Sequence, residues 1–221
     1  MKQKQIFLKS EGDAWFERNH LAIQKRRLDL EDPVVSAIGH CMSVASARNQ
    51  KRSVLLEIGC GEGKRLEYLA KKFNLTCHGI EPSPKAVAMA ARHQLSVVRG
   101  TADSLPWACQ AFDFLIFGFC LYLCDREDLF RIAHEADRVL KKSGWIIIHD
   151  FFSSTASRND YHHYKGLHAY KMDYRKLFDW HPDYTCFSHK VLKHAKKGYT
   201  DDPREWVAIS VLRKKAAQST D

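Results

Sequence analysis

The chain has 221 residues, with 35 Lys and Arg against 26 Asp and Glu, 45% apolar residues and 11% aromatic residues. This length and apolar content suffice to bury a core and exclude a disordered tail. The longest uncharged apolar run, residues 114–124, is too short to cross a bilayer. The seven cysteines are odd in number and irregularly spaced, which is typical of free thiols in a reducing compartment. Because the first residues also lack the features of a signal peptide, we expect a cytoplasmic protein with no membrane segment.

The net charge of +9 arises at the two ends of the chain. Residues 1–52 carry 10 basic and 6 acidic side chains, residues 53–151 carry 12 of each, and residues 152–221 carry 13 and 8. A basic surface can bind nucleic acid, but neither flank contains a recognisable nucleic-acid-binding module. The charge leaves two interpretations open, a solvated basic surface or a pocket for an anionic small molecule.

The apolar pattern predicts alternating helices and strands. Helices are predicted at residues 11–30, from residue 33 onwards, and at 64–73, 83–93 and 127–142, the last ended by Ser143-Gly144. Strands are predicted at residues 53–58, 76–80, 96–99, 112–119 and 145–149. After a polar and aromatic insert at 152–172, a short helix at 174–178 and two closing strands at 184–192 and 206–212 follow. We therefore predict an α/β fold: a doubly wound, mostly parallel seven-stranded sheet with helices on both faces and an antiparallel last strand.

A glycine cluster follows the first predicted strand and precedes a helix. It reads Glu57-Ile-Gly59-Cys60-Gly61-Glu-Gly63, and glycines at this point let a ligand approach the backbone. Glu81 ends the next strand, where a carboxylate can accept hydrogen bonds from a ribose diol. The spacing G-x-G-x-G differs from the G-x-G-x-x-G of dinucleotide sites, which disfavours an NAD-dependent oxidoreductase.

With four further motifs, this loop resembles the class I S-adenosylmethionine-dependent methyltransferases. The motifs are Gly-Ile-Glu-Pro-Ser at 79–83, Gly-Thr-Ala-Asp-Ser-Leu-Pro at 100–106, Phe-Asp-Phe-Leu-Ile at 112–116, and Glu-Ala-Asp-Arg-Val-Leu-Lys-Lys-Ser-Gly at 135–144. The resemblance covers roughly residues 50–151 and implies a Rossmann-like fold with S-adenosyl-L-methionine as cofactor. It implies the following contacts: Glu57, Gly59, Cys60, Gly61 and Gly63 in the loop, Glu81 at the ribose, Ala102 and Asp103 at adenine, and Phe119 at the methionine end.

The methyl acceptor is predicted beyond the carboxyl ends of the strands, where ligands of open α/β sheets bind. The catalytic candidates are His149 and Asp150, at the end of the fifth strand, and Tyr122, after the fourth. A histidine beside a carboxylate suits proton abstraction from a hydroxyl group. In the insert, His163 and Lys165 are candidates for binding the acceptor. No metal site is predicted, because the cysteines and the insert histidines lack a complete ligand set.

Two regions are predicted along the chain. Residues 1–52 resemble the helical lid or cap that closes over the cofactor in this family, with Trp15 and Arg18 as substrate-binding candidates, or else they form an ordinary amphipathic helix packed on the sheet. Residues 53–221 form the Rossmann-like methyltransferase domain, with the insert 152–172 as an acceptor-side loop.

We therefore expect transfer of a methyl group to a small anionic or polyhydroxy acceptor, at oxygen. Enzymes that methylate base amines or glutamine amides usually carry Asn/Asp-Pro-Pro-aromatic after the fourth strand, whereas residues 118–122 read Gly-Phe-Cys-Leu-Tyr, so a nucleic-acid acceptor is disfavoured. The alternatives are a protein or nucleic-acid methyltransferase using the basic flanks, an NAD-dependent oxidoreductase, and a non-catalytic cofactor-binding module. The sequence indicates no particular oligomeric state.

Overall fold

The computed structural model describes residues 2–25, 27–45, 52–194 and 198–216. Its strands are β1 (Val54–Ile58), β2 (Thr76–Glu81), β3 (Ser96–Arg99), β4 (Phe112–Gly118), β5 (Leu140–Phe151), β6 (Ser157–Asp160), β7 (His168–Lys171), β8 (Tyr184–Lys193) and β9 (Trp206–Lys214). Seven of them form one sheet in the order β3-β2-β1-β4-β5-β9-β8. Strands β1 to β5 pair in parallel, and β9 is antiparallel to both β5 and β8. The predicted fold class is confirmed.

The helices are α1 (Gln3–Ile6), α2 (Gly12–Lys25), α3 (Pro33–Ala45), α4 (Lys64–Phe73), α5 (Pro84–Arg92), α6 (Leu129–Val139) and α7 (Lys176–Asp179). A π-helical turn joins α1 to α2, so residues 3–25 form one run, which we call the N-terminal helical segment. It begins before the predicted residue 11 because the carboxylate of Asp125 accepts hydrogen bonds from the backbone N–H groups of Gln3 and Lys4, at 2.9 and 3.0 Å. Residues 27–30 are not helical, so the predicted end at residue 30 is also corrected. No described helix is long and apolar enough to span a membrane.

The prediction for residues 127–142 is wrong at its C-terminal end. Helix α6 stops at Val139, and Leu140 already pairs with Phe112 of β4. Ser143 adopts a left-handed φ of 63° and donates a backbone hydrogen bond to Lys215, beyond β9. The Ser-Gly pair therefore forms an irregularity within β5, where sequence pattern alone indicated the end of a helix.

The core lies on both faces of the sheet, because neighbouring residues of a strand point to opposite sides. On one face, Leu56 and Leu115 pack with residues of α6 and α7. On the other face, Leu55 and Phe114 pack against Val34, Val35, Ile38 and Cys41 of α3 and against α4. Helix α3 thus belongs to the core layer of the sheet, whereas none of residues 3–25 belongs to either of these two clusters. The predicted boundary after residue 52 separates α3 from the strands that it buries.

The insert 152–172 contains an antiparallel hairpin, in which β6 pairs with β7 from Ser157–Lys171 to Asp160–His168. We predicted a loop here because β6 is polar and fully exposed, so no apolar alternation indicates a strand. Beneath the hairpin tip, Tyr161 and Leu167 are buried against Phe7 of the N-terminal helical segment. The insert is therefore ordered by contact with that segment.

Candidate cofactor and acceptor site

A first cavity opens at the carboxyl ends of β1, β2 and β4. It encloses about 840 Å³ of empty space, including space open to solvent at its mouth. Residues at the ends of these strands or in the turns that follow them and β3 line it: Gly59, Glu81, Ala102, Asp103, Gly118 and Phe119. Lys4, Phe7, Gly12 and Trp15 of the N-terminal helical segment line it too. Most of the predicted cofactor-binding residues thus surround one cavity.

The three glycines of the loop after β1 all adopt positive φ, at 73° for Gly59, 57° for Gly61 and 80° for Gly63. A Cβ atom on Gly59 would lie 2.7 Å from the Cβ of Cys120, and one on Gly63 would lie 2.7 Å from a methyl group of Leu95. At Gly61 nothing lies within 4 Å, and this residue faces the second cavity described below. The outer glycines are required by packing, whereas Gly61 leaves space for a ligand.

Glu81 connects the second strand to the glycine loop. Its Oε2 accepts a hydrogen bond from the backbone N–H of Gly61 at 2.9 Å, and its Oε1 accepts one from Ser83 at 3.0 Å. Burial raises the pKa of this carboxyl group to about 7, although the two backbone donors oppose the shift. Each oxygen retains acceptor capacity, so the side chain can still receive hydroxyl donors from the cavity.

The segment that contains Ala102 and Asp103 is held by a half-buried network of hydrogen bonds. The carboxylate of Glu135 accepts from the backbone N–H of Leu105 at 2.8 Å, and Arg138 donates to the carbonyl oxygens of Leu105 and Trp107. Glu135 is also paired with Arg138 itself, and this hydrogen bond lowers the pKa of Glu135 to about 2. The backbone near the predicted adenine position is thereby fixed.

Asp103 pairs with Lys4 of the N-terminal helical segment and accepts a hydrogen bond from the Thr101 hydroxyl at 2.7 Å. Burial would raise the pKa of Asp103, but these two donors outweigh it, so the pKa lies below its ordinary value. The predicted adenine-binding carboxylate is thus ionised and already bound to the segment that covers the cavity.

A second cavity adjoins the first and encloses about 1470 Å³, again including open solvent. Aromatic and histidine rings dominate its wall: Trp15, Phe16, His20, Phe119, Tyr122, Phe151, Tyr161, His163 and His194. Trp15, Gly59, Gly118 and Phe119 line both cavities, so the two spaces meet at the ends of β1 and β4.

Phe119 lies at this junction in a strained backbone conformation. Its φ of 56° is left-handed, which for a bulky side chain costs about 1–3 kcal/mol. Its N–H donates to the carbonyl oxygen of His149 at 2.9 Å, and its ring lies 4.6 Å from the His149 ring. These contacts direct the phenyl ring toward the space between the two cavities.

The structure separates the three predicted catalytic residues. His149 is buried beside Phe119 and is not among the residues that line either cavity. Asp150 accepts backbone hydrogen bonds from Cys120, Leu121 and Phe151 at 2.8–3.1 Å, and burial raises its pKa to about 7. Asp150 therefore holds the turn after β4. Tyr122 does line the second cavity, and because burial raises its pKa, its hydroxyl group is protonated.

The predicted acceptor residues are also divided. Trp15 and His163 line the second cavity, whereas Lys165 is exposed at the hairpin tip and lines neither space. Arg18 donates to Tyr161 at 3.0 Å and pairs with Glu11, so it ties the N-terminal helical segment to the insert.

Sequence reasoning missed several residues that line the second cavity, among them His194 and Arg65. His194 reaches it from the end of β8, and its ring lies 5.0 Å from Phe151. Arg65, the second residue of α4, pairs with Glu57 at 3.4 Å, and burial raises the pKa of Glu57. Neither residue belongs to a recognised motif, although the position of Arg65 just after the glycine loop was a usable signal. Within the described ranges, no group of three or more His, Cys, Asp or Glu side chains could hold a metal ion.

Known proteins that are similar to this chain include methyltransferases. Residues 56–148 match the family model of a methyltransferase domain. Ajmaline N-methyltransferase of Rauvolfia serpentina is 32% identical over 103 residues, which cover 42% of this chain and 34% of that protein. Fatty-acid O-methyltransferase of Mycolicibacterium smegmatis is 29% identical over 113 residues, which cover 49% of this chain and 40% of that protein. The matched regions thus span less than half the length of either relative.

Among solved structures, the 1,6-didemethyltoxoflavin-N1-methyltransferase of Burkholderia thailandensis was crystallised with 1,6-didemethyltoxoflavin and S-adenosylhomocysteine bound. It superposes with a TM-score of 0.62 at 14% identity, over 92% of this chain and 87% of that one. This likeness shows a shared fold. All five motifs lie within residues 56–148, the region that matches the methyltransferase domain model.

Proposed function

We propose that this protein transfers a methyl group from S-adenosylmethionine to a small hydroxyl-bearing acceptor. The observation that carries the proposal is the pair of adjoining cavities that meet at Gly59, Gly118 and Phe119. The first holds the adenosine part of the cofactor, and the second holds the acceptor. Gly59, Gly118 and Phe119 would then hold the activated methyl group of a bound cofactor at the junction, within reach of an acceptor atom for displacement at carbon.

The residues of the first cavity fit the cofactor. Glu81 accepts hydrogen bonds from the ribose hydroxyls, and Ala102 and Asp103 bind adenine from the fixed segment after β3. Next to the first cavity, Gly61 of the glycine loop faces the second cavity and leaves the space that close approach of a ligand to the backbone requires. The N-terminal helical segment acts as a lid, because its residues Lys4 and Trp15 line the cavity. Farther along this segment, Glu17 forms an ion pair with Lys85 of α5.

The acceptor fits the second cavity as a ring-shaped polyhydroxy molecule. Flat aromatic walls suit the faces of a ring, and His163 and Asn19 offer hydrogen bonds to hydroxyl groups. A strongly anionic acceptor is less well supported. Of the basic side chains in the wall, Lys64 donates to the carbonyl oxygens of Ile23 and Gln24, and Arg65 is paired with Glu57.

The bound cofactor supplies an electrophilic methyl group, and the protein supplies position and a proton acceptor. If the acceptor atom is a hydroxyl oxygen, its proton must leave as the C–O bond forms. We assign this proton to His163 or His194, because both line the second cavity, whereas His149 does not. Asp150 and His149 position Phe119 and the turn after β4 instead. Tyr122, which stays protonated, donates a hydrogen bond to the acceptor.

The coverage of both cavities by the N-terminal helical segment favours a small acceptor over a protein or nucleic acid. A direct test incubates the protein with methyl-labelled S-adenosylmethionine and a small-molecule extract, then separates the products by size. We expect label in the low-molecular-weight fraction. Label confined to protein or RNA would favour a macromolecular acceptor. If the protein binds the cofactor tightly but transfers no label, a non-catalytic cofactor-binding module is favoured.

A further inference from the structure

Three polar side chains join the N-terminal helical segment to the insert. Glu11 and Arg18 belong to the segment, and Tyr161 directly follows β6, at the start of the loop between β6 and β7. The Tyr161 hydroxyl donates a hydrogen bond to the Glu11 carboxylate at 3.0 Å and accepts one from the Arg18 guanidinium, also at 3.0 Å. Glu11 is paired with Arg18 as well, so each group contacts the other two. We call these three residues the hairpin triad.

The hairpin triad fixes the hydroxyl end of Tyr161 in the interior. Glu11, which is 2% exposed, ends the π-helical turn Phe7–Glu11, and such turns occur frequently at functional sites. A buried carboxylate is costly unless it is paired and hydrogen-bonded, and Arg18 and Tyr161 meet both needs. Burial raises the pKa of Tyr161, and the hydrogen bond to Glu11 raises it further. The hydroxyl therefore stays protonated and keeps donating to Glu11.

The ring of Tyr161 forms part of the acceptor side. Tyr161 and His163 both line the second cavity, whereas Glu11 and Arg18 are not among the residues that line either cavity. The ring centroids of Tyr161 and His163 are 5.4 Å apart, and the rings meet edge to face at 72°, a favourable aromatic geometry. Because the hydroxyl is anchored away from the cavity, the ring is the part of Tyr161 that forms the wall and supports His163.

The backbone that carries His163 depends on Tyr161 too. The N–H of Tyr161 donates to the carbonyl oxygen of Leu167 at 2.9 Å, and the N–H of Tyr164 donates to the carbonyl oxygen of Tyr161 at 3.2 Å. These bonds close the loop between β6 and β7. His163 is an exposed residue of this loop, so the contact with the Tyr161 ring takes a large share in orienting its side chain. A displaced Tyr161 would therefore displace His163.

We infer that Tyr161 is a positioning residue of methyl transfer: its anchored hydroxyl orients the ring, and the ring holds His163 where it receives the acceptor proton. The inference rests on the proposed function and extends it, because it chooses His163 over His194, which also lines the second cavity. A ring nitrogen of His163 takes the hydroxyl proton while the acceptor oxygen bonds to the methyl carbon and the carbon–sulfur bond breaks. Glu11 and Arg18 act on this step through Tyr161.

The first test needs no ligand. NMR of the protein carrying isotope-labelled histidine reports the position of the His163 ring, and the spectrum of His163→Gln identifies its signal. Tyr161→Phe keeps the aromatic ring but loses both hydrogen bonds of the hydroxyl, so we expect the His163 signal to move toward that of an unstructured histidine. Tyr164→Phe is the matched control, because it removes a hydroxyl from the same loop on a side chain that is 40% exposed and lines neither cavity. It should leave the signal in place.

The second test compares transfer with cofactor binding. The rate is that of label transfer from methyl-labelled S-adenosylmethionine to the small-molecule extract, and the Kd is that of S-adenosylhomocysteine. Tyr161→Phe should lower the rate by about 10- to 100-fold, the usual cost of a misplaced proton acceptor, and leave the Kd within about twofold of wild type. Glu11→Ala should act like Tyr161→Phe without touching the ring. Glu11→Gln, which keeps an oxygen for the hydroxyl, should restore part of the rate.

The outcomes separate this role from the proposed function. If wild type binds no S-adenosylhomocysteine or transfers no label, the proposed function fails, and the His163 signal still shows whether Tyr161 holds that ring. If Tyr161→Phe and Glu11→Ala keep the wild-type signal and rate, the positioning role is overturned. It is overturned equally if Tyr164→Phe changes both as much, or if the Kd rises in step with the loss of rate.

Discussion

At the scale of single residues, Gly61 is the position where an added side chain most directly tests whether the cofactor lies against the glycine loop. Gly61→Val should abolish detectable binding of S-adenosylhomocysteine, because the new methyl groups occupy space that is open in the protein and required by the ligand. The matched control is Gly166→Val, since Gly166 also has a positive φ, of 87°, and nothing within 4 Å of its Cβ position, but lines neither cavity. Both variants carry similar backbone strain, so their unfolding free energies should fall by similar amounts, roughly 1–2 kcal/mol. Equilibrium dialysis that finds equal binding by the two variants would contradict this placement.

Glu81 predicts a pH dependence of cofactor binding. Its pKa in the free protein is about 7, and the ionised form accepts the ribose hydroxyls better. Binding therefore releases a proton, and the Kd of S-adenosylhomocysteine should fall roughly tenfold between pH 6 and pH 8 as the carboxylate ionises. Glu81→Gln, which is neutral throughout, should bind more weakly at pH 8 and lose this dependence. Calorimetry in buffers of different ionisation enthalpy measures the number of protons released on binding. An equal Kd of the wild type at both pH values would exclude ribose binding by the ionised Glu81 carboxylate.

At the scale of elements, Asp150 links the end of β5 to the turn after β4. Asp150→Ala leaves buried N–H groups of Cys120, Leu121 and Phe151 without their acceptor, and we expect the free energy of unfolding to fall by about 3 kcal/mol. Asp150→Asn keeps one acceptor oxygen, so its loss should be nearer 1 kcal/mol. Urea unfolding at pH 8 measures both. Were both variants as stable as wild type while kcat dropped, Asp150 would be catalytic as first predicted from the sequence.

The elements also show where sequence reasoning succeeds. Residues 53–58 form an apolar run that is followed by glycines, and this pattern predicted β1 and its loop. Such a run is typical of a strand that is buried on both faces of a sheet. The start of the N-terminal helical segment was not predictable, since its cap is Asp125, more than a hundred residues away. The β6–β7 hairpin was missed because exposed polar strands carry no apolar period. Local patterns thus defined the sheet, and long-range contacts defined what covers it.

At the scale of the whole molecule, the sequence predicted more of the cofactor side of the candidate site than of the acceptor side. Most residues predicted to bind the cofactor lie in motifs at strand ends, which the parallel sheet gathers at one edge. The acceptor side depends on the N-terminal helical segment, the insert and the end of β8, which come from distant parts of the chain. His194 reaches the second cavity only through that assembly, whereas Arg65 lies just after the glycine loop, and Lys165 lines neither cavity.

The central claim is that the cavity over the glycine loop binds S-adenosylmethionine, and thermal and calorimetric titration with S-adenosylhomocysteine tests it most directly. We predict one binding site per chain, and at about 100 times the Kd a stabilisation of about 2.7 kcal/mol. NADH at the same concentration should give neither heat nor a shift in Tm. Stabilisation by NADH without any by S-adenosylhomocysteine would contradict the account.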